Sequence, residues 1–235
     1  MHKRELIIPT NVALIPDGNR RWAKKNRINL LNGYGLGIKK FIEFSVWLKD
    51  FGSKSLTVWA LSTENIQKRT PSELFILYKL YSKAARDKKI IKMIDDNKAK
   101  IKIIGNRKLL PKLLDNSLRA LEKHTERYNK FQINILLAYG GHDDLVYATK
   151  KLVNSGVQPK YITEEKIKES LRSSPIENAD LIIRTSGEKR LSGLLPWQSS
   201  YSELYFSKKY WPEFDRKDLN NAIHEFSRRK RRYGK

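Results

Sequence analysis

Short, nearly continuous apolar runs alternate along this chain with stretches in which apolar residues recur every three or four positions. The first pattern is typical of strands that are covered on both faces, and the second of amphipathic helices. A strand–helix–strand series with parallel pairing is the simplest fold for such an alternation. The predicted strands are 11–15, 55–61, 100–104, 132–138, 180–183 and 202–206, and the predicted helices are 38–50, 71–95, 111–129, 143–154, 164–172 and 215–230.

The predicted helix 71–95 has a clear start and a broad apolar surface. Thr70 to Glu73 form a capping box with proline at the first helical position. The apolar residues between Leu74 and Tyr81 cover more of the helix than one sheet can bury. Burial by the sheet and by neighbouring helices together explains this surface. The alternative is that one face lines a cavity for a long hydrocarbon.

No internal repeat, low-complexity segment or flexible linker interrupts the 235 residues. We therefore expect a single α/β domain over residues 1–235, with a mainly parallel central sheet flanked by helices. The 40% hydrophobic content excludes a disordered chain, and the absence of cysteine excludes disulfides and thiolate metal sites. Neither a signal peptide nor an apolar run near the roughly 18 residues of a membrane span is present, so we expect a soluble, cytoplasmic protein.

The formal net charge of +23 indicates an anionic partner of some kind. Nucleic acid, an anionic membrane surface and highly phosphorylated substrates all fit such a surplus. Many lysines are, however, dispersed through residues 79–100 and 107–130, as a general compositional bias would also produce. The denser C-terminal run, residues 227–235, is either a solvated tail or a basic arm.

The segment directly after the first predicted strand concentrates polar chemistry. Asp17 to Trp22 read Asp-Gly-Asn-Arg-Arg-Trp, at a point where a helix can begin. In open α/β sheets ligands bind at the carboxyl ends of the strands, and free N–H groups at a helix start favour anions. Asp-Gly-Asn is also an ordinary turn sequence, so this segment needs support from the rest of the chain.

Further polar segments accompany later strands and supply that support. Arg184, Arg190 and Ser192 lie around a glycine-containing turn, and guanidinium groups with turn N–H groups bind phosphate well. Asp17 and Glu203 are carboxylates placed among basic loops, and Mg²⁺ commonly uses one or two such carboxylates with phosphate oxygens. Together these segments predict a phosphate-rich active site.

Five motifs occur in order over residues 17–206, with two shorter matches up to residue 234, and together they resemble the cis-prenyltransferases, the undecaprenyl diphosphate synthase family, in particular its archaeal members. They are DGNRRWAKK (17–25), ALSTENIQKR (60–69), AYGGHDD (138–144), IRTSGEKRLSGLLPWQ (183–198) and SELYF (202–206), followed by Trp211-Pro212 and Arg232-Tyr233-Gly234.

The resemblance implies a role for each matching residue. Asp17 is the catalytic aspartate that works with magnesium, Asn65 assists proton removal, and Glu203 is the second metal carboxylate. The loop before the first helix holds the diphosphate of the allylic substrate, and the clamp around Arg184 holds isopentenyl diphosphate. The implied substrate-binding residues are Gly18, Asn19, Arg20, Arg21, Trp22, Tyr34, Ser62, Thr63, Glu64, Lys68, Arg184, Arg190, Leu191 and Ser192.

The implied activity is a magnesium-dependent condensation of isopentenyl diphosphate onto farnesyl or geranylgeranyl diphosphate, giving a long polyprenyl diphosphate for a glycosyl carrier lipid. Helices 38–50 and 71–95 are expected to enclose a tunnel for the growing chain. The family is homodimeric, with residues 232–234 near the subunit interface, and its lipid product is delivered to the membrane, which allows peripheral membrane contact. The rival hypotheses are a catalytically silent partner subunit and a nucleic-acid-binding protein, although no nucleic-acid motif is recognisable.

Leu30 and Tyr34 depart from the family pattern, which usually has an arginine and a histidine near the substrate diphosphate, and Lys68 replaces a frequent arginine. We expect another cation to supply the missing contact, and Arg27, three residues before Leu30, is the predicted candidate. The glycines of residues 33–37 lack the spacing of a dinucleotide loop, and His142-Asp143-Asp144 reads as a helix start rather than a metal site.

Overall fold

Six parallel strands form one central sheet in the computed structural model, which describes residues 6–229. The strand order is β3-β4-β2-β1-β5-β6. The strands are β1 (Asn11–Ile15), β2 (Ser55–Ser62), β3 (Ala99–Ile104), β4 (Phe131–Tyr139), β5 (Leu181–Arg184) and β6 (Glu203–Phe206). The helices are α1 (Asn19–Lys25), α2 (Leu30–Asp50), α3 (Thr63–Lys68), α4 (Pro71–Ala84), α5 (Lys88–Asp96), α6 (Lys112–His124), α7 (Gly141–Asn154), α8 (Glu164–Ser170) and α9 (Arg216–Arg228).

The predicted α/β fold with a parallel sheet is confirmed. Each of the six strands begins and ends within one residue of its predicted bounds. Most of their residues are buried, as expected for strands with helices on both faces. No helix within residues 6–229 is long and apolar enough to cross a lipid bilayer.

The helices differ more from prediction than the strands do. α2 begins at Leu30 rather than at 38, because the side chain of Asn29 accepts a hydrogen bond from the N–H of Asn32 at 2.9 Å and caps the helix. Gly33 permits a close approach of α1, since a methyl group there would lie 2.8 Å from Cβ of Ala23. The predicted helix 71–95 is divided into α4 and α5, with Asp87 capping the second part.

Two apolar layers hold the helices to the sheet. Strand residues such as Val12 and Leu14 face α2, α4, α6 and α9, where Phe44 and Leu219 are fully buried. The alternate residues Ala13 and Ile15 face the opposite layer, which includes Leu194 and Leu195. This alternation is what a doubly covered sheet requires.

The strand register decides which polar segments meet. β1 lies between β2 and β5, with Leu14 opposite Val58 and Ile15 opposite Arg184. The carboxyl ends of β1, β2 and β5 are therefore neighbours at one edge of the sheet, which we call the carboxyl edge. Segments that follow these three strands lie side by side there, although they are far apart in the sequence.

Candidate active site

Asp17 lies at the centre of the carboxyl edge, between two arginines. Its Oδ2 accepts a hydrogen bond from Nη2 of Arg184 at 2.9 Å, and its Oδ1 is 3.3 Å from Nη2 of Arg21. Burial alone would raise the pKa of Asp17, but the hydrogen bond and charge of Arg184 and the charge of Arg21 outweigh it, so this pKa is lowered. The carboxylate is therefore ionised at neutral pH.

Gly18 is required where the chain turns from β1 into α1. Its φ is 101°, a left-handed conformation that favours glycine, and it caps the start of α1. A methyl group there would lie 2.6 Å from Cδ1 of Tyr210 and 2.9 Å from Cβ of Ser186. Next in the chain, Asn19 donates from Nδ2 to the carbonyl of Pro16 at 3.0 Å, which holds the turn.

Arg184 is the buried centre of the clamp predicted from the sequence. Only 5% of the residue is exposed, and its Nη1 donates to Oγ of Ser192 at 2.9 Å and to the carbonyl of Arg190. Ser186 and Ser192 both have left-handed backbones, with φ of 76° and 53°. Such conformations cost on the order of 1–3 kcal/mol each and cluster at functional sites. The loop is thus wrapped around the guanidinium.

Glu188 joins the two halves of the site and was not singled out by the sequence. Its Oε1 lies 3.0 Å from Nη1 of Arg21, and its Oε2 lies 2.5 Å from Nη1 of Arg190. Hydrogen bonds from Arg190 and Arg21 lower the pKa of this carboxyl. Its position between the arginines of the clamp loop was the only sequence signal for this role.

A second polar cluster links α2 with α4 beside the same edge. The hydroxyl of Tyr34 donates to Oε1 of Glu73 at 2.5 Å and accepts from Nη1 of Arg69 at 3.2 Å. Arg69 and Arg20 lie 3.3 Å and 3.7 Å from the buried carboxylate of Glu73. Burial, followed by the hydrogen bond to Glu73, raises the pKa of Tyr34, while the charge of Arg69 only partly opposes this. Tyr34 is therefore neutral, and its hydroxyl is fully engaged.

The segment after β2 forms the short helix α3. Ser62 caps it by accepting from the N–H of Asn65 at 3.0 Å. Ser62, Glu64, Asn65 and Lys68 all line the cavity at this point. Thr63 instead packs on the backbone at Gly140, where an added methyl group would lie 2.3 Å from its Oγ1.

One cavity of about 1110 Å³ joins this charged mouth to the apolar layer under α2 and α4. It reaches from Leu137 to Phe131 along β4. At about 3.3 Å per residue, that stretch of strand is roughly 20 Å long. His142 also lines the cavity, although the sequence pattern of its motif indicates only the start of a helix. At the opposite end of the strands the cavity is lined by Ala99 and Phe131, the first residues of β3 and β4.

Three more residues do not lie where the sequence analysis placed them. Within residues 6–229, Trp22 is not among the side chains that line the cavity, and Leu191 packs against the apolar layer on the opposite face. The prediction that Arg27 shares a helical face with Leu30 is wrong, because Arg27 lies in the link between α1 and α2 with a φ of 55°. Leu30 does line the cavity.

The prediction that Asp17 and Glu203 share one cation is wrong within this chain. Glu203 is the first residue of β6 and lies opposite Leu181, at the amino end of β5. Asp17 is beside Arg184, at the other end of the same strand. Glu203 is instead bound by Nη1 of Arg229 at 2.6 Å. The motif at 232–234 lies outside the described residues.

Among the described residues, Asp17 offers magnesium an ionised carboxylate at this site. Residues 6–229 contain no cluster of three or more His, Asp or Glu side chains that could enclose a metal ion. Mg²⁺ does not need such a cage, since it often binds one carboxylate together with diphosphate oxygens and water. The ionised, partly exposed carboxylate of Asp17 meets that requirement, beside arginines suited to diphosphate.

Fold and site together define a parallel α/β protein with an arginine-rich edge that opens into an apolar cavity. The model of the undecaprenyl diphosphate synthase family matches residues 15–234. The chain belongs to this family, the cis-prenyltransferases, and is a prenyl-transferring enzyme.

Individual relatives agree over nearly the whole chain. A tritrans,polycis-undecaprenyl-diphosphate synthase (geranylgeranyl-diphosphate specific) of Pyrobaculum aerophilum is 41% identical, and the match covers 97% of each chain. A synthase of the same name from Methanocaldococcus jannaschii is also 41% identical, over 97% of this chain and 83% of that one. The crystal structure of lavandulyl diphosphate synthase from Lavandula x intermedia, in complex with dimethylallyl diphosphate, superposes with a TM-score of 0.91 and is 29% identical over 97% of this chain and 98% of that one.

Proposed function

We propose that this enzyme extends geranylgeranyl diphosphate with isopentenyl diphosphate units, in the presence of Mg²⁺, to a long polyprenyl diphosphate. The observation that carries the proposal is the cavity of about 1110 Å³, which is charged at its mouth and apolar along the sheet. The relatives named as specific for geranylgeranyl diphosphate support that primer over farnesyl diphosphate. A glycosyl carrier lipid made from the product, and a homodimeric enzyme, are parts of the same proposal.

In the proposed reaction, the C1–O bond of the allylic diphosphate breaks as C4 of isopentenyl diphosphate bonds to C1. A proton then leaves C2 of the isopentenyl unit, so the products are a chain one isoprene unit longer, diphosphate and a proton. Arg20 and Arg21 bind the departing diphosphate, and Arg184, Arg190 and Ser192 bind the diphosphate that stays. Holding both diphosphates at one edge orients the reacting carbons.

Residues of this chain also stabilise the negative charge that develops on the leaving diphosphate. Asp17 would hold Mg²⁺, which when bound stabilises negative charge on the leaving diphosphate. Arg21 is paired with both Asp17 and Glu188, and these two carboxylates hold its guanidinium at the place where the diphosphate would bind. Asn65 lies in the cavity wall beside Ser62, where it assists removal of the proton. The apolar cavity receives the growing chain, and each CH₂ group buried there contributes about 0.8 kcal/mol of favourable transfer free energy.

The test is to incubate the purified protein with labelled isopentenyl diphosphate, Mg²⁺ and either farnesyl or geranylgeranyl diphosphate, and to size the products. We expect long polyprenyl products with both primers, a higher kcat/KM for geranylgeranyl diphosphate, and no product when EDTA removes the metal. No elongation with either primer, or elongation only after a second protein is added, would contradict the proposal. Faster turnover of farnesyl diphosphate would contradict the primer assignment alone.

A further inference from the structure

Large apolar side chains are left exposed where two neighbouring helices begin. Phe75 of α4 and Leu113 of α6 are each 67% exposed, and Leu109, just before α6, is 44% exposed. α4 starts after the carboxyl end of β2 and leads toward β3, and α6 leads from the end of β3 to the start of β4. Both helices therefore run opposite to the parallel strands and in the same direction as each other.

The contact between the two helices fixes their register. Oγ of Ser82 and Oγ of Ser117 lie 3.2 Å apart. Phe75 precedes Ser82 by two helical turns, and Leu113 precedes Ser117 by one turn, so both lie on the sides on which the helices face each other. Because these two side chains are nevertheless exposed, the helices do not cover each other there. They leave an open apolar surface.

Lysines border this surface, and no exposed carboxylate offsets them. All four lysines here are exposed: Lys79 and Lys83 of α4, Lys108 just before α6, and Lys112 at the start of α6. The stretches 71–86 and 108–114 contain one carboxylate, that of Glu73, which is buried and paired with Arg69. We call these lysines, with Phe75, Leu109 and Leu113, the α4–α6 patch.

We propose that the α4–α6 patch docks the enzyme on an anionic lipid bilayer. Aromatic and aliphatic side chains between lysines are the combination that enters the headgroup region while the ammonium groups meet lipid phosphates. A second copy of the patch would set lysine against lysine. Nucleic acid would bind the lysines through its phosphates, but it lacks an apolar interior in which exposed leucine side chains could be buried.

The other exposed apolar helix face is a poorer candidate. α7 exposes Val146 and Val153 beside Lys150 and Lys151. The adjoining α8, however, exposes Glu164, Glu165 and Glu169 beside Lys166, so carboxylates there offset the lysines, unlike at the α4–α6 patch. The α7 residues are therefore a matched control, since Val153 is exposed to the same 67% as Phe75 and Leu113.

Docking at this patch places the cavity wall against the bilayer. The inward side of α4 lines the cavity with Leu77 and Tyr81, while Phe75 and Lys79 of the same helix face outward. The hydrocarbon product would then pass into lipid with little exposure to water. This consequence rests on the proposed function, whereas the docking itself does not.

The test is co-sedimentation of the full chain with vesicles of phosphatidylcholine, with or without phosphatidylglycerol, in the absence of substrate. We expect binding only to the anionic vesicles, and weakening as salt is raised. Phe75→Ser with Leu113→Ser should lower the partition coefficient about tenfold. Lys79→Gln with Lys83→Gln should lower it about thirtyfold at low salt. The controls, Val146→Ser with Val153→Ser and Lys150→Gln with Lys151→Gln, should bind like the wild type.

Each outcome decides between explanations. Equal losses in the α7 controls, or unchanged binding of both patch variants, would overturn the proposal. Intact vesicle binding with lost binding of single-stranded RNA in the lysine variant would assign the lysines to nucleic acid instead. Circular dichroism and thermal melts verify that each variant is folded. Polyprenyl synthesis in detergent, measured separately, should be unchanged in the patch variants, and its absence in the wild type would count against the proposed function alone.

Discussion

At the scale of single residues, the site's arginines are already paired with carboxylates of the protein. Asp17 holds Arg184, and Glu188 holds Arg190. The two clamp arginines differ in burial, since the side chain of Arg184 is 6% exposed and that of Arg190 is 61% exposed. Replacing each of these arginines by alanine should therefore affect stability differently, although nothing in the sequence distinguishes the two residues.

Arg190→Ala should raise the KM for isopentenyl diphosphate about tenfold and leave the melting temperature unchanged, because an exposed guanidinium adds little to stability. Arg184→Ala should raise this KM by a similar or larger factor and also lower the melting temperature by several degrees, since it leaves Asp17 without its buried partner. Steady-state kinetics and thermal melts measure both effects. Equal melting temperatures for the two variants would show that the buried pair is not stabilising.

Asp17→Asn should abolish turnover. It should also lower the free energy of unfolding at neutral pH by on the order of 2 kcal/mol, and with it the melting temperature. Because the folded-state pKa of Asp17 is lowered, its contribution is present above the unfolded value of about 3.9 and is lost as pH falls through the folded value. The stability difference from wild type should therefore narrow below pH 4. Asp96→Asn, at an exposed carboxylate of α5, is the control and should change neither quantity.

At the scale of elements, the buried Glu73 fixes α4 against α2 and α1. It accepts from Tyr34 of α2 and lies between Arg20 and Arg69, both of which line the cavity. Tyr34 therefore acts on the site through the cations beside it. This arrangement gives the departure from the family's histidine a physical account: a neutral hydroxyl suits a position between a carboxylate and a guanidinium.

Glu73→Gln should raise the KM for the allylic primer about tenfold with a smaller change in kcat, because Arg20 and Arg69 lose the charge that orients them. Tyr34→Phe removes the hydrogen bond to Glu73 and the one from Arg69, each worth about 1 kcal/mol, and should raise the same KM about fivefold. Primer titrations at saturating isopentenyl diphosphate measure both. Glu43→Gln, in the half-buried pair with Lys40 on α2, is the control. A normal primer KM for Glu73→Gln would remove this cluster from substrate binding.

The sequence predicted strands better than helices, for a physical reason. Strands covered on both faces are short apolar runs with distinct ends, and all six were located. The first two turns of α2 contain Gly33, Gly35 and Gly37, which lower helix propensity and conceal the helix. Tertiary packing compensates, since the N–H group of the Trp211 indole bonds the carbonyl of Gly37 at 2.9 Å.

At the scale of the whole molecule, the cavity connects the carboxyl edge with the opposite end of the sheet. Ala99 and Phe131 are paired neighbours at the starts of β3 and β4, and both line its far end. Under the proposed function, the bulk of these two side chains would set how far an extended hydrocarbon can enter. The length of the product would then depend on the fold as well as on the site.

Phe131→Ala should lengthen the products, and Ala99→Leu should shorten them, because the first enlarges and the second fills the far end of the cavity. Reversed-phase sizing of radiolabelled products measures the shift, and consumption of isopentenyl diphosphate reports the rate. Val153→Ala, on the outer face of α7, is the control and should leave the distribution unchanged. Identical products from both cavity variants would show that chain length is limited elsewhere.

Segments that follow a strand were placed correctly, whereas Glu203 was not. Asp17, Ser62 and Arg184 all lie at the carboxyl ends of neighbouring strands, and parallel pairing brings them together without further information. Glu203 begins its strand, and only the register of β6 with β5 reveals that it lies at the other end. Glu188 and Glu73 were also missed, because partners of arginine are defined by side-chain geometry that a linear pattern does not contain.

The central position of β1 also determines when the enzyme becomes competent during folding. Asp17 and Arg184 are 167 positions apart. On the ribosome, β1 and β2 are available to pair long before residues 181–184 emerge, so one edge of β1 stays open for most of synthesis. Contacts of such high sequence separation form slowly. During refolding, helical circular dichroism should therefore recover before the ability to bind isopentenyl diphosphate does.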